Sequence, residues 1–464
     1  MTAHKVQKVD VAIIGADANL VIIDSDNTVG GVWSKDRIYP NLVAQVRLGL
    51  FNYSDTPMPP NGGDPKDPRV TGEMIHNYLQ KYAEDHDLLR RIRFNTFVKE
   101  AKKLPNGWRL TLRECQDIIE TEKLLVATGV TSIPYMPDLE RAPDSVPIIH
   151  SRDLGMSWNA LGDDSIENVI VTGAAKSAYD AVYLLLNMGK KVTWVIREDG
   201  GGPLSILPFR VLNMGDSTGF SKEPRRADGA WGDSGISWIT VFWAHSGLGV
   251  VTLPDFWTTL HKRGLNIVRG EVRSTQERSV TLKTGEVLDA DYLVMCTGWG
   301  DHFAIFDEKH KADIGLPGYH GQISPDTSEK GFDWRRYDIE ADRIVDEMLP
   351  FLAKPPTLKY PKPLDPSLQQ KWRLYRRSIP VSLAGKGDRS LAILGQIHTI
   401  QTPLVSEVQS LWTILYLLGE IDLPDTDEMA KEVALWNAWT RKRYLNQGQK
   451  FPYSLYDFLP PQEV

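Results

Sequence analysis

Cysteine is almost absent from this chain. Its 464 residues hold two, Cys115 and Cys296, with no CxxC spacing. That excludes a disulfide scaffold and a zinc ribbon, and makes a reducing, cytoplasmic compartment the default. An excess of positive charge is also lacking. The 53 Lys and Arg against 60 Asp and Glu give a formal net charge of -7 and a pI near 5.9. Without a basic footprint, nucleic acid is not an expected partner. Residues 1–10 are polar and charged and do not resemble a signal peptide. Long apolar runs are scarce, with one stretch to weigh. No side chain in residues 236–253 carries a formal charge, and Trp238, Phe242 and Trp243 lie within it. That is about long enough to span a bilayer. Ser237, His245, Ser246, Gly247 and Gly249 make it a poor spanning helix. A buried or substrate-lining segment is the favoured reading, and a membrane-surface loop the less favoured one.

What is present is the composition of a soluble globular protein, 42% hydrophobic and 24% charged, at a length that calls for two or more cores. Two glycine-punctuated apolar runs organise it. Val9-Asp10-Val11-Ala12-Ile13-Ile14-Gly15 is the first and Val169-Ile170-Val171-Thr172-Gly173 the second, both typical of parallel strands covered on two faces. After the second, residues 177–188 place Ala178, Ala181, Val182, Leu185 and Leu186 at helical spacing, and Lys191–Ile196 reads as another buried strand. This is a complete βαβ unit. Two further strands end in Thr128-Gly129 and Thr297-Gly298. A proline-dotted connector occupies residues 355–366, and residues 406–418 read as an amphipathic helix stopped by Gly419. No internal period suggests a solenoid.

The second unit carries a dinucleotide fingerprint, Gly173-Ala174-Ala175-Lys176-Ser177-Ala178, with alanine at its second and third glycine positions. A tight turn, small side chains and the N–H groups of a helix N-terminus still favour a pyrophosphate. Arg197 stands at the end of the next strand, where an NAD-preferring site carries an acid; a cation there suits the 2′-phosphate of NADPH. The plain alternative for Arg197 is a solvated strand end.

In the first unit Leu20-Val21-Ile22-Ile23-Asp24 reads as the second strand of an FAD-binding unit, its terminal acid placed for ribose hydroxyls. Gly30-Gly31-Val32-Trp33 follows, allowing close backbone approach. Only Ala16-Asp17-Ala18-Asn19 joins Gly15 to Leu20, whereas adjacent parallel strands need a crossover of roughly a dozen residues. The two runs are therefore expected to form an antiparallel hairpin, or one of them to be displaced. Losing the glycine loop removes several charge-assisted N–H bonds at about 1.5–3 kcal/mol each, which is expected to weaken FAD binding severely.

Other segments complete a pattern: Tyr39-Pro40-Asn41-Leu42, Tyr53 to Pro59, Tyr78-Leu79, Ile92 to Val98, Val126-Ala127-Thr128-Gly129, His150-Ser151-Arg152-Asp153, Cys296-Thr297-Gly298-Trp299, and Ala392-Ile393-Leu394-Gly395 leading to Glu407 through Trp412. In order and spacing the chain resembles the flavin-containing monooxygenases and their fungal relatives over nearly its whole length. The resemblance implies an α/β fold of two Rossmann-like domains, with an NADPH domain (151–298) inserted in an FAD domain (1–150 and 299–464) whose first βαβ unit is incomplete. It implies NADPH reducing FAD, dioxygen adding to give a C4a-(hydro)peroxyflavin, and oxygenation of a small organic substrate, in secondary metabolism. The cofactor carries that chemistry, so no catalytic side chain is nominated, and no metal is expected. It further implies cofactor contacts at Gly15, Asp24, Gly30, Gly31, Trp33, Asn41, Gln45, Val98, Ala127, Thr128 and Gly129. The others are Gly173, Ala175, Lys176, Ser177, Arg197, Thr297, Gly298 and Gln401.

Departures from the family pattern are informative. Ala16-Asp17-Ala18 replaces the continuation of the first G-x-G-x-x-G, and F-x-G-x-x-x-H is reduced to His150, with Asp144 and Val146 at the Phe and Gly positions. Leu154-Gly155 stands where a Baeyer–Villiger enzyme has Trp-Pro, and Gln45 where an asparagine often faces the flavin. His150 reads equally as a structural histidine or a nicotinamide contact. Two other classes remain: a non-enzymatic remnant that has lost FAD, favoured by the gap, and a disulfide reductase, discarded for want of a cysteine pair.

Overall fold

A computed structural model of the chain describes residues 6–12, 20–60, 69–113, 117–198, 206–207, 250–251, 255–262, 265–317, 333–354, 372–397 and 402–443. Gly15, Cys115, Gln401, the 355–366 connector and all of the 236–253 stretch except Val250–Val251 fall outside them. Among the described residues no helix is long and apolar enough to cross a membrane.

Two sheets, one mixed and one all parallel, carry the molecule. The first runs Ile92–Arg93, Leu20–Ile23, Val6–Ala12, Ile118–Val126, then the antiparallel meander Gly107–Leu112 and Val98–Leu104. Ile118–Val126 splits its far edge between two partners. Its first residues pair with the meander, Trp108 opposite Thr121, while Leu124, Leu125 and Val126 pair in parallel with Leu391, Ala392 and Ile393. The chain thus returns to this sheet only after building everything between residues 127 and 390. Leu125, Ala392, Tyr416 and Val433 share one core beneath it, and Trp108, Leu110, Leu124 and Phe306 another.

The second sheet is all parallel in the order Ile148–His150, Tyr292–Met295, Asn168–Thr172, Lys191–Ile196, Asn266–Arg269. The helical spacing noted above is realised as the helix Lys176–Asn187, whose Ala178, Ala181, Val182 and Leu185 are fully buried against Val171 and Val192. The other helix read from the sequence is longer than its apolar pattern indicates. It spans Thr402–Leu418, with Pro403 in the first turn, where a missing N–H costs nothing.

One expectation is overturned. Val6–Ala12 and Leu20–Ile23 are neither a hairpin nor displaced; they lie side by side and parallel, Val11 opposite Leu20 and Ala12 opposite Val21. The reason is the shortness of the overlap. A dozen-residue crossover is needed to return along a whole strand. Here the second strand starts opposite the penultimate residue of the first, so the chain steps sideways about 4.8 Å and back by about one residue. Residues 13–19 can reach roughly 23 Å when extended, which covers the step.

Candidate functional site

In parallel sheets, ligands bind beyond the carboxyl ends of the strands. On the first sheet those ends gather Asp24, Ala127-Thr128-Gly129 and Leu394-Gly395. Asp24 donates its N–H to the Arg93 carbonyl at 3.0 Å and accepts Asp26 N–H on Oδ1 at 2.9 Å. Burial raises its pKa above the ordinary carboxylate value, with the Asp26 charge adding to the effect and the Asp26 N–H opposing it. Gly30 opens a short 3₁₀ turn over Gly31–Trp33 with φ of 116°, and a Cβ there would stand 3.0 Å from the Trp33 carbonyl group, so only glycine suits. Gly129, at φ 68°, faces open space apart from Ser132 Oγ at 3.9 Å. Thr128 donates its hydroxyl to the His302 carbonyl at 3.0 Å. Asn41 also takes a positive φ, 63°, and is exposed. Val98 begins a meander strand and packs at the edge of its core, and Gln45 lies on Val43–Arg47, where only its backbone is described.

On the second sheet the turn is tighter. Gly173 has φ of 118°, and an added Cβ would fall 2.2 Å from the Cys296 carbonyl oxygen. Its own carbonyl accepts Trp194 Nε1–H at 2.6 Å. The helix that follows has Ala175 as N-cap with no side-chain cap, and its first intrahelical donors are Ala178 and Tyr179. The N–H groups of Lys176 and Ser177 thus stand ahead of the helical ladder, aimed along the positive end of the helix dipole. Lys176 Nζ is held by both Asp180 oxygens at 2.5 and 2.6 Å. Arg197 lies exposed one residue past Lys191–Ile196.

Side chains that the sequence reading left without a role tie the two sheets together. Asp26 accepts Arg152 at 2.6 Å and Ser34 Oγ at 3.2 Å, with Arg37 at 3.8 Å. Arg37 in turn donates to the Thr131 carbonyl at 2.6 Å and lies over the Trp299 ring. Tyr39, from the loop after the glycine pair, donates its hydroxyl to Asp180 at 2.6 Å. Burial and the Asp180 carboxylate push that phenol well above its usual pKa. Beside it lies a narrow crevice lined by Tyr39, Asn41, Lys176, Asp180, Tyr183 and Phe256 among others. His150–Ser151–Arg152–Asp153 and Tyr39 were visible as family-like segments; their pairing across 126 and 141 residues was not.

Thr297 and Gly298 sit between the sheets and are already engaged. Thr297 donates to the Tyr135 carbonyl at 2.5 Å, and the Gly298 carbonyl accepts both Tyr135 N–H at 3.0 Å and His150 Nε2–H at 2.9 Å. His150 accepts Arg152 N–H on Nδ1 at 3.1 Å, so both ring nitrogens are used and the ring is a neutral structural element.

Comparison with known proteins accords with this geometry. The family described as pyridine nucleotide-disulphide oxidoreductase matches residues 19–204. The FAD-dependent monooxygenase DEP4 of Alternaria brassicicola is 36% identical, over 96% of this chain and 84% of its own length. The FAD-dependent monooxygenase rstn6 of Aspergillus nomiae is 34% identical, over 96% and 87%. The alignment with the Alternaria protein runs over 504 residues against a chain of 464, so that relative carries residues this chain lacks. Among solved structures, Tmm of a Pelagibacter strain superposes with a TM-score of 0.53 at 16% identity, covering 92% of this chain and 78% of that one. S-allyl-L-cysteine S-oxygenase of Allium sativum gives 0.50 at 15%, covering 95% and 84%. These structures share the fold. With two dinucleotide-type strand ends held in one body, and relatives aligned along almost its full length, the chain belongs to the FAD-dependent monooxygenases.

Proposed function

We propose that this chain is a flavin-dependent monooxygenase that draws electrons from NADPH and uses dioxygen to oxygenate a small organic molecule of secondary metabolism. The observation that carries the reading is the second unit, where a glycine-only turn, an uncapped helix N-terminus and Arg197 stand in register for a phosphorylated dinucleotide. Ala175, Lys176 and Ser177 would hold the NADPH pyrophosphate through backbone N–H groups, with Thr297 and Gly298 shaping the wall between the two cofactors.

The residues present fit FAD at one end and not at another. Asp24 has one oxygen taken by Asp26 and the other to offer a ribose. Gly30, Gly31 and Trp33, with Ala127, Thr128 and Gly129, would take the nucleotide over the strand ends, and Asn41, Gln45 and Val98 would be its further contacts. The pyrophosphate finds no matching glycine loop and helix, because residues 13–19 are too few to supply both. Bound flavin supplies two-electron transfer and dioxygen activation; the chain supplies orientation and a site screened from water. The mostly buried joint of Arg37, Asp26 and Arg152 would hold the two cofactor halves at fixed distance. The isolated cysteines, with the Cys296 thiol buried and pushed up to about 12, suit a cytoplasmic setting.

The short link supports a second reading, that of a remnant that binds NADPH and retains no flavin. A visible absorption spectrum separates the two, taken on the purified protein and again after incubation with FAD and desalting. A flavin band that survives desalting supports the enzyme. A folded protein that stays colourless while binding NADPH supports the remnant.

A further inference from the structure

We infer that Arg269 forms, with Arg197, a two-arginine clamp for the 2′-phosphate of NADPH, so that cofactor choice is set from two strand ends. The inference rests on reading the second unit as a dinucleotide site. Three adjacent strands end level with one another on one edge of the second sheet. Gly173 N–H bonds to the Val195 carbonyl at 3.1 Å, which sets the fingerprint turn against the end of Lys191–Ile196. Ile196 pairs with Arg269, and Gly270 N–H donates to the Ile196 carbonyl at 3.0 Å. Parallel pairing from Thr193 and Asn266 onward fixes this register.

A dinucleotide whose pyrophosphate rests on the Gly173 turn brings its adenosine ribose to the end of the next strand, which Asn266–Arg269 flanks. The two strand ends present Arg197 and Arg269, both exposed. They also touch: an Arg269 guanidinium nitrogen donates to the Arg197 carbonyl at 3.3 Å, which holds the second cation beside the first. Guanidinium groups bind phosphate through paired N–H donors, and two of them around one dianion hold it more selectively than one. Glu271, two residues past Arg269, is engaged by Lys283. An adenosine lacking the 2′-phosphate gives the clamp nothing to hold.

The test is titration of the full chain with NADP+, NAD+, 2′,5′-ADP and 5′-AMP by calorimetry, for wild type, Arg269→Ala and Arg269→Lys. We expect Arg269→Ala to weaken NADP+ and 2′,5′-ADP about tenfold to a hundredfold, with NAD+ and 5′-AMP within about twofold of wild type. Arg269→Lys should recover part of the loss. Unchanged NADP+ affinity in Arg269→Ala, with wild type still preferring NADP+, overturns the clamp and leaves the dinucleotide site standing. Equal losses for NADP+ and NAD+ overturn it too, because Arg269 then shapes the site without reading the phosphate. A wild type that binds none of the four ligands brings down both the site and the clamp.

Discussion

The molecule contains two attempts at the same unit, and they differ in the link between their strands. In the second, Asn168–Thr172 and Lys191–Ile196 pair over five residues, from Asn168–Lys191 to Thr172–Val195, with a 12-residue helix between them. In the first, Val6–Ala12 and Leu20–Ile23 pair over two, and seven residues lie between. A long crossover lets the second strand start far back along the first, and its helix brings a positive N-terminus to the strand ends. A short crossover still permits parallel pairing, but only at the tip, and leaves too few residues for both a glycine loop and a helix of several turns. Parallel order can therefore survive where the anion site does not. The first sheet tolerates the loss because Val6–Ala12 is anchored on its other side by six residue pairs with Ile118–Val126.

The comparison breaks most sharply under a graft. Inserting a glycine loop and a two-turn helix between Ala16 and Asp17 would make the first unit like the second. About three charge-assisted N–H bonds at roughly 1.5–3 kcal/mol each would return, which corresponds to at least about a thousandfold in FAD affinity. Fluorescence quenching of FAD, titrated against the parent and grafted chains, measures it. A grafted chain that folds yet binds FAD no better than the parent would show that the missing loop is not what limits flavin binding.

Next in size is the turn of the intact unit. Gly173→Ala sets a Cβ 2.2 Å from the Cys296 carbonyl oxygen at a φ of 118°, whereas Gly298→Ala at φ 87° meets no atom within 4 Å. The first should cost about 2–4 kcal/mol of stability and abolish NADP+ binding, because the turn must move. The second should cost about 1 kcal/mol from backbone strain alone. Urea midpoints of the two variants give the comparison. Equal losses would mean that close packing of the turn on Cys296 contributes nothing beyond its φ.

These contrasts also mark what the chain's residues disclose unaided. The second unit was legible throughout, because strand, turn, helix and strand are consecutive and each leaves a local period. The gap after Gly15 was legible as a deficit of residues, but its consequence was misjudged: the length rule presumes full overlap, and register is not written locally. The pairings of Tyr39 with Asp180 and of Asp26 with Arg152 were not legible, since nothing in either segment records a partner more than 100 residues away. Arg269 is legible only as a cation closing a short strand, since nothing in its own segment records that the strand pairs with Lys191–Ile196.

The smallest expected effect concerns the joint between the two units. His150 closes the first strand of the second sheet, and its neighbour Arg152 reaches Asp26 on the first. Burial lowers the His150 pKa, opposed by the Gly298 carbonyl and Asp153 and assisted by Arg152 and Arg37. The folded ring therefore stays neutral where the unfolded one takes up a proton, at and below about pH 6.5. Because the unfolded chain then binds more protons, stability falls as pH drops through that value toward the folded pKa and is level above it. Protonation would also place a hydrogen on Nδ1 against Arg152 N–H and abolish that bond. Gln in place of His150 can donate to Gly298 and accept from Arg152 without titrating. His150→Gln should thus have a urea midpoint that declines less between pH 7.5 and 5.5 than that of wild type, with the other nine histidines as a shared background. Parallel pH profiles for the two proteins would remove His150 as the proton-sensitive element of the joint, and leave the Asp26–Arg152 pair to hold the units at both pH values.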